Sequence, residues 1–524
     1  MKKFIFSLTL MAYAAGMTAQ DTLWVRYDDR FKANGSISLK DVDSIEINNT
    51  ELKLYTTKNS AGYLRKAYAS FIPTDAAEFS FSDPGRYLLK PDTYAGTDYT
   101  NTNATEGYNF AHSLESDHYV VFWDVRYGEN PAKIQYPGDG NVANANTILS
   151  ICERCWDTYV KLGFIVPGKS VTDKYKIQLY VPYQKEWRAD ASGTNGVSGG
   201  MTGIGHFNPW AAIARGGHTV AHEVGHTFQY LTGADQGGGY NYGFNYGFDE
   251  NSSGDSFFWE SCADWQAYKI FPERQFTDGE YFEQHIANHH LNFMSEEWLY
   301  ANCFIQDWWC MKHGTDFIGR LWRESRRPED PIEAYQRLCG MSQADFCDEQ
   351  MEGYMRMATW DIDGVREAAR HRIGQHTAAN YLNKVSGTAD TWQTDVEHCI
   401  QNYGYHIVNL KNVTNAGTVV KAHFTGFPEK DGYKSVYPER AGWRYALVAL
   451  TSDGARVYGD IQREKEGVAT LTVPQNCQRL FFVVMGAPTV HWHHPWARWH
   501  PEPYPQNGEQ WPYQVRFEGT DVQK

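Results

Sequence analysis

The chain has 524 residues, with 63 acidic against 48 basic side chains and a formal charge of −15 at pH 7. That balance argues against nucleic acid and anionic membrane surfaces as partners. The length predicts two or three domains with ample core; the apolar run in residues 1–20 is too short and wrongly flanked to span a membrane, and no other run is as apolar.

Residues 1–20 read as a secretory signal peptide. Lys2 and Lys3 supply the positive start, residues 4–15 the apolar stretch, and Met17-Thr18-Ala19 the small-residue cleavage region. No cysteine follows the cleavage region, so no lipoprotein anchor is expected. The mature protein is expected to be soluble and exported, secreted or held in the periplasm or at the cell surface. Losing Lys2 and Lys3 leaves 46 basic against 63 acidic residues, a net charge of −17. Nine cysteines form an odd, scattered set, so at least one is unpaired and no dense disulfide framework is expected.

Residues 21–105 read as a β-rich accessory region. Residues 43–47 and 51–55 alternate apolar with polar, and Asn48-Asn49 between them signals a hairpin. Residues 94–109 are rich in Thr, Asn, Gly and Tyr, the composition of a linker or surface loop. A catalytic domain is expected over 106–395. It opens with a continuous apolar strand at 118–123, a helix around 146–162 and an alternating strand at 175–181. Cys152-Glu153-Arg154-Cys155 has redox spacing. The pair lies on the apolar stripe of its helix, however, so both thiols are expected to pack as small hydrophobes.

The most informative stretch is His222-Glu223-Val224-Gly225-His226. On a helix, residues four apart share a face, so both imidazoles can reach one ion with Glu223 beside it. Val220, Val224 and Phe228 give a core-facing stripe, Gly216-Gly217 breaks the preceding chain, and Gly233 is a stop signal. Gly225 in mid-helix costs about 1 kcal/mol against alanine and implies close packing there.

Zinc catalysis needs a third protein ligand and one open position. A metzincin would place Gly and His where this chain has Gln229 and Thr232, which excludes that class. Residues 257–268 read as a second helix, with Glu260 and Asp264 on one face. Glu260 is the candidate third ligand. Asp264, one turn along, can accept a hydrogen bond from the free ring nitrogen of a ligating histidine and fix its orientation. Asp249, Glu250 and Asp255 are rival ligands in the preceding loop.

His222, Glu223, His226, Glu260 and Asp264 together resemble the gluzincin class of zinc metallopeptidases. The wider arrangement is similar to an uncharacterised group of secreted microbial proteins with an aromatic-rich, zincin-like core. The resemblance implies an α+β fold: a zincin-like core of mixed sheet and helical lower half, flanked by the β-rich N-terminal region and a C-terminal β-sandwich. It implies that residues 199–209, with His206, supply the sheet edge near the metal, where an extended substrate adds by main-chain hydrogen bonds. His206 is expected either to touch substrate or to pack. The insert between Thr227 and Trp259 departs from the class pattern by its length.

Within that insert, residues 237–248 combine glycines with a repeated Asn-Tyr-Gly-Phe, a candidate lid or an ordinary loop pinned by its aromatics. Asp249, Asn251 and Asp255 match no strong calcium pattern. Residues 280–375 read as mostly helical, with Gly314 as a C-cap. Tyr300, His285, His289 and His290 are candidate oxyanion donors, and no spacing singles one out. From 396 to 524 strands return at 405–408, 419–424, 445–450 and 480–484, the pattern of a sandwich. The tail His491-Trp492-His493-His494 and Trp499-His500 follow no ligand spacing. A proline-rich loop packing its tryptophans is expected there, ahead of a carbohydrate platform or second metal site.

The expected reaction is peptide hydrolysis in proteins or glycoproteins, with Zn2+ held by His222, His226 and Glu260 and with Glu223 as general base. The alternative is a catalytically silent scaffold that binds glycan or glycoprotein through its aromatic loops and sandwich. The signal-peptide reading predicts that intact-mass analysis of the exported protein starts at Gln20 or Asp21. A full-length product retained in the cytoplasm would contradict it.

Overall fold

In a computed structural model, helices and strands segregate along the chain in an α+β arrangement. It describes residues 99, 101–173, 175–193, 203–236, 243–244, 255–277, 280–388, 390–493 and 509–524, preceded by six short strands. Residues 1–20, read as a signal peptide, lie outside the described residues. The chain divides into two compact units, Met1–Tyr87 with Val171–Tyr175, and Leu88–Ser170 with Lys176–Lys524. Among the described residues no helix is long and apolar enough to cross a membrane.

The first unit holds β1 (Thr22–Tyr27), β2 (Gly35–Ser38), β3 (Val42–Ile47), β4 (Leu52–Thr56), β5 (Ala67–Phe71) and β6 (Ala76–Ser80) in two three-stranded sheets, ordered β2-β1-β6 and β3-β4-β5. β3 and β4 pair antiparallel, forming the hairpin expected around Asn48-Asn49.

The second unit begins with a mixed sheet. Its strands are β7 (Ser113–Glu115), β8 (Tyr119–Trp123), β11 (Ile177–Val181), β12 (Ala189–Gly193) and β13 (Gly203–Phe207), and a separate short pair is formed by β9 (Ile134–Gln135) and β10 (Val142–Ala143). The order is β12-β13-β11-β8-β7, with β8, β11 and β13 parallel and both edges antiparallel. β8, β11 and β13 are buried at every position, as parallel strands covered on both faces must be.

On one face lie α1 (Ala145–Lys161) and, after the short α2 (Pro209–Ile213), the motif helix α3 (His218–Ala234). On the other, Tyr99 and Tyr108 pack with Val120, Phe122, Tyr180 and Ile204, and the Tyr99 and Tyr180 hydroxyls are 3.1 Å apart. Residues 101–103 and 105–106 are exposed, so the described part of 94–109 is a surface loop, pinned to the sheet by Tyr99 and Tyr108.

One expectation changes. Residues 203–207 form an inner strand, and the edge is β12, whose Ala-Asp-Ala-Ser-Gly has too little β-propensity to be read from sequence. His206 is held by Asp190 Oδ1 at 2.7 Å and stacks on Tyr180, so it packs within the sheet. Cys152 and Cys155 are fully buried on α1, and burial raises the Cys155 thiol to about 12, so neither is a reactive thiol.

After α4 (Asp255–Ile270) the chain continues through α5 (Glu280–Asn288), α6 (Ile305–His313), α7 (Phe317–Glu324), α8 (Pro331–Cys339), α9 (Gln343–Met357) and α10 (Arg366–Ala369). Gly314, at φ 107°, caps α6 as expected. The remaining strands are β14 (Leu382–Lys384), β15 (Thr391–Thr394), β16 (Tyr405–Leu410), β17 (Val419–Gly426), β18 (Trp443–Thr451), β19 (Arg456–Tyr458), β20 (Glu466–Thr472), β21 (Cys477–Gly486) and β22 (Tyr513–Glu518). They form two antiparallel sheets, β14-β15-β22-β17-β20 and β16-β21-β18-β19, sharing one apolar core.

His285, His289, His290, His376 and His406 are all buried where α5 and the turn after it meet β16. The Tyr405 hydroxyl lies 3.0 Å from His285 Nε2 and 3.1 Å from His376 Nε2, while His406 Nδ1 meets the Tyr513 hydroxyl at 3.0 Å. Burial pushes His285 down to about 3 and His290 to about 4, and holds His289, His376 and His406 well below the ordinary imidazole range. These rings are neutral in the fold and charge in the unfolded chain near pH 6.5. The stability tied to them is present above that pH and is lost as pH falls, by up to about 1.4 kcal/mol per unit per ring. Urea unfolding is predicted to give a flat stability near pH 7–8 and a steep loss below about 6, with uptake of several protons. Unchanged stability down to pH 5 would contradict this reading.

Candidate metal centre

The motif helix starts abruptly because Arg215 (φ 53°), Gly216 (φ 68°) and Gly217 (φ 97°) turn the chain through left-handed backbone. Any side chain at Gly217 would overlap Ile151 of α1, so the helix start is seated directly on its neighbour. Along α3, Val220, Val224 and Phe228 are fully buried, as their spacing predicts. Gly225 is where α4 comes closest: a Cβ there would stand 3.1 Å from Gln266 Oε1 and 3.3 Å from the Ala263 Cα.

That approach brings Glu260 and Asp264 onto the histidine face. His222 Nε2 and His226 Nε2 are 3.0 Å apart, and Glu260 Oε2 lies 3.2 Å from the first and 3.3 Å from the second. Three donor atoms thus form a nearly equilateral triangle. A four-coordinate ion with bonds of about 2.0–2.1 Å holds its ligand atoms about 3.3 Å apart, so the donor set and its spacing fit a divalent metal.

Both rings are oriented from behind. His222 Nδ1 is 3.2 Å from Asp264 Oδ1, and His226 Nδ1 is 2.8 Å from Gln229 Oε1. Each Nδ1–H donates to its oxygen, which turns both Nε2 lone pairs toward Glu260. Gln229 is held in turn by donating to the Trp259 carbonyl at 3.0 Å and to Gln266 Oε1 at 3.2 Å. The sequence reading used Gln229 only to exclude metzincins and missed its role. Its place three residues after His226, on the same helical face, was the available signal.

Electrostatics agree with the geometry. Burial alone would lower the His222 pKa, yet Asp264 and Glu260 hold it well above the usual imidazole range. Despite burial, the two imidazoles keep Glu260 far below the ordinary carboxylate range. Glu223 is different: it is 5% exposed, and its carboxyl has no hydrogen-bond partner among the described residues. Burial pushes it up to about 7, against the pull of His222 and His226. A cation held by the triangle would draw it down again.

The structure separates the other candidates. The Tyr300 ring lies 5.8 Å from that of His222 and stacks on Tyr281, over which the Arg215 guanidinium also lies. His285, His289 and His290 sit in the buried cluster by β16 and not here. Trp259 packs 6.0 Å from His226 and donates to the Phe244 carbonyl at 3.1 Å, anchoring the one described piece of the glycine–aromatic insert. The rest of residues 237–248, Asp249, Glu250, Asn251 and the Asp255 side chain, with the calcium reading placed on them, lie outside the described residues.

A second His/Asp/Glu group, Asp330, Glu333 and His493, could also hold an ion by spacing. Its atoms are already matched, however. His491 Nε2 meets Asp330 Oδ2 at 2.6 Å, and His493 Nε2 meets Glu333 Oε2 at 2.7 Å. Asp330 and Glu333 also form the capping box of α8, a helix end whose dipole opposes a cation. Trp492 packs against the sandwich core, so the described part of the tail is pinned structure; residues 494–500 lie outside the described residues.

The orienting roles are testable with Zn2+ as probe. Asp264→Asn and Gln229→Leu are each predicted to weaken its binding 10–100-fold with the helical circular dichroism unchanged, read by competition with a chromophoric chelator. Unaltered affinity in both variants would contradict the assignment.

No curated protein matches this sequence. Residues 82–524, the great majority of the chain and all of the site just described, match a family of unknown function, DUF6055. The chain belongs to that family.

Proposed function

We propose that the protein is an exported zinc-dependent peptidase of gluzincin type, hydrolysing peptide bonds in proteins or glycoproteins. The observation that carries this reading is the His222–His226–Glu260 triangle with the buried carboxyl of Glu223, without a hydrogen bond among the described residues, one residue from His222. A binding scaffold has no use for such a carboxyl, whose burial costs free energy without a compensating hydrogen bond.

Zinc, when bound to that triangle, acts as a Lewis acid that acidifies water and polarises a carbonyl. The remaining chemistry belongs to side chains. Glu223 takes the proton of the attacking water and passes it to the departing amine nitrogen, a transfer that contributes typically about 10²–10⁴-fold. Asp264 and Gln229 keep both imidazoles facing inward through that cycle. Tyr300, beside His222, is the best-placed of the four candidate donors for the developing oxyanion. The edge strand β12 packs near α3 and offers main-chain groups to which an extended substrate can add.

Digestion of casein and of a mucin-type glycoprotein tests the proposal. Glu223→Gln is predicted to keep the metal and lose turnover by at least about 10²-fold, and His222→Ala to lose both. Activity retained in Glu223→Gln would dismiss the general-base role.

A further inference from the structure

Well away in sequence from the metal centre, a cleft of about 570 Å³ opens between α10 with the turn that follows it and, on the sandwich, the β18–β19 connection at 450–456 and the start of β21 at 478–479. Its walls carry Arg366, Arg370, Arg456, Arg479 and His371. Only two acids, Glu367 and Asp453, line it, in a chain where acids outnumber bases 63 to 48. It has four arginines and no lysine. The guanidinium presents a planar fork matched to oxyanions, where an ammonium acts as a point charge.

The pairing within the cleft is incomplete. Arg366 donates to Asp361 Oδ1 at 2.8 Å and to Asp363 Oδ1 at 3.0 Å. Arg456 Nε stands 3.7 Å from the same Asp361 and is buried without a hydrogen bond. Arg370 and Arg479 have no carboxylate or side-chain hydrogen-bond partner among the described residues. Asp453 is turned to the Thr451 hydroxyl.

Arg479 is nevertheless seated. Its guanidinium lies over Gly374, at φ +87°, with Nη1 as the nearest atom to the position a Cβ would take there. The turn after α10 thus meets a guanidinium from the sandwich, and among the described residues no carboxylate pairs with it. Ser452 and Gln478 add neutral donors to the same walls.

We propose that this cleft is an anion-binding site for a small ligand bearing clustered phosphate or sulfate oxygens, free or carried on a saccharide. Arg370 and Arg479 make the primary contacts, and Arg366 and Arg456 set the local potential. The assignment is independent of the metal centre and of its proposed chemistry.

Isothermal titration calorimetry at low ionic strength tests it, with inorganic phosphate and a trisulfated disaccharide as probes on the full mature chain. Binding of at least one probe is expected, weakened at least tenfold in the double variant Arg370→Gln/Arg479→Gln. It is expected to be unchanged in Arg463→Gln, an exposed arginine outside the cleft that pairs with Asp348. Phosphate binding identifies a free-anion site; binding of the disaccharide alone identifies a sugar-borne one. No binding of either probe to the unaltered protein, or equal binding in the double variant, overturns the proposal.

Discussion

The close contact between α3 and α4 at Gly225 is the constraint on which the site depends. With no side chain at that turn, the α4 backbone at Ala263 comes within van der Waals reach of the motif helix. Only at that separation do Glu260 and Asp264, one turn apart, meet the ring nitrogens of His222. Removing Glu223, Glu260 and Asp264 from water together is expensive, at several kcal/mol per ion unless each charge is matched. Two of the three are matched by imidazoles. The third, Glu223, has no hydrogen-bond partner among the described residues, and that is the feature on which the proposed general-base role rests.

The surroundings hold that contact in place from three sides. Gly217 seats the start of α3 on Ile151, and Gly203 of β13 lies so close to Thr227 that no Cβ fits between strand and helix. Phe258 and Trp259 of α4 pack on Trp322 from behind. The histidine face is thus clamped between sheet and helices, and the His222 and His226 imidazoles are oriented by hydrogen bonds to Asp264 and Gln229, both buried. Preorganisation of this kind resides in the supporting residues as much as in the ligands.

Much of this was legible in the sequence, and what was legible had a period. Val220, Val224 and Phe228 marked α3, and the uninterrupted run from Phe257 to Tyr268 marked α4, within a few residues of the observed bounds. Gly225 was correctly read as a point of close packing. Features without periodicity were missed. The edge strand β12 is built from small residues, and the burial of Tyr99 and Tyr108 depends on strands they precede in the chain. That Tyr300, and not His285, His289 or His290, lies beside His222 needed three dimensions, because no spacing distinguishes the four. The paired histidines of the tail likewise acquire meaning only opposite Asp330 and Glu333.

Elemental mass spectrometry of the purified mature protein, with Glu260→Ala alongside, tests the central claim most directly. The account predicts about one zinc per chain in the unaltered protein and its loss in the variant. Absence of zinc from the unaltered protein, even after reconstitution with excess metal, would contradict it.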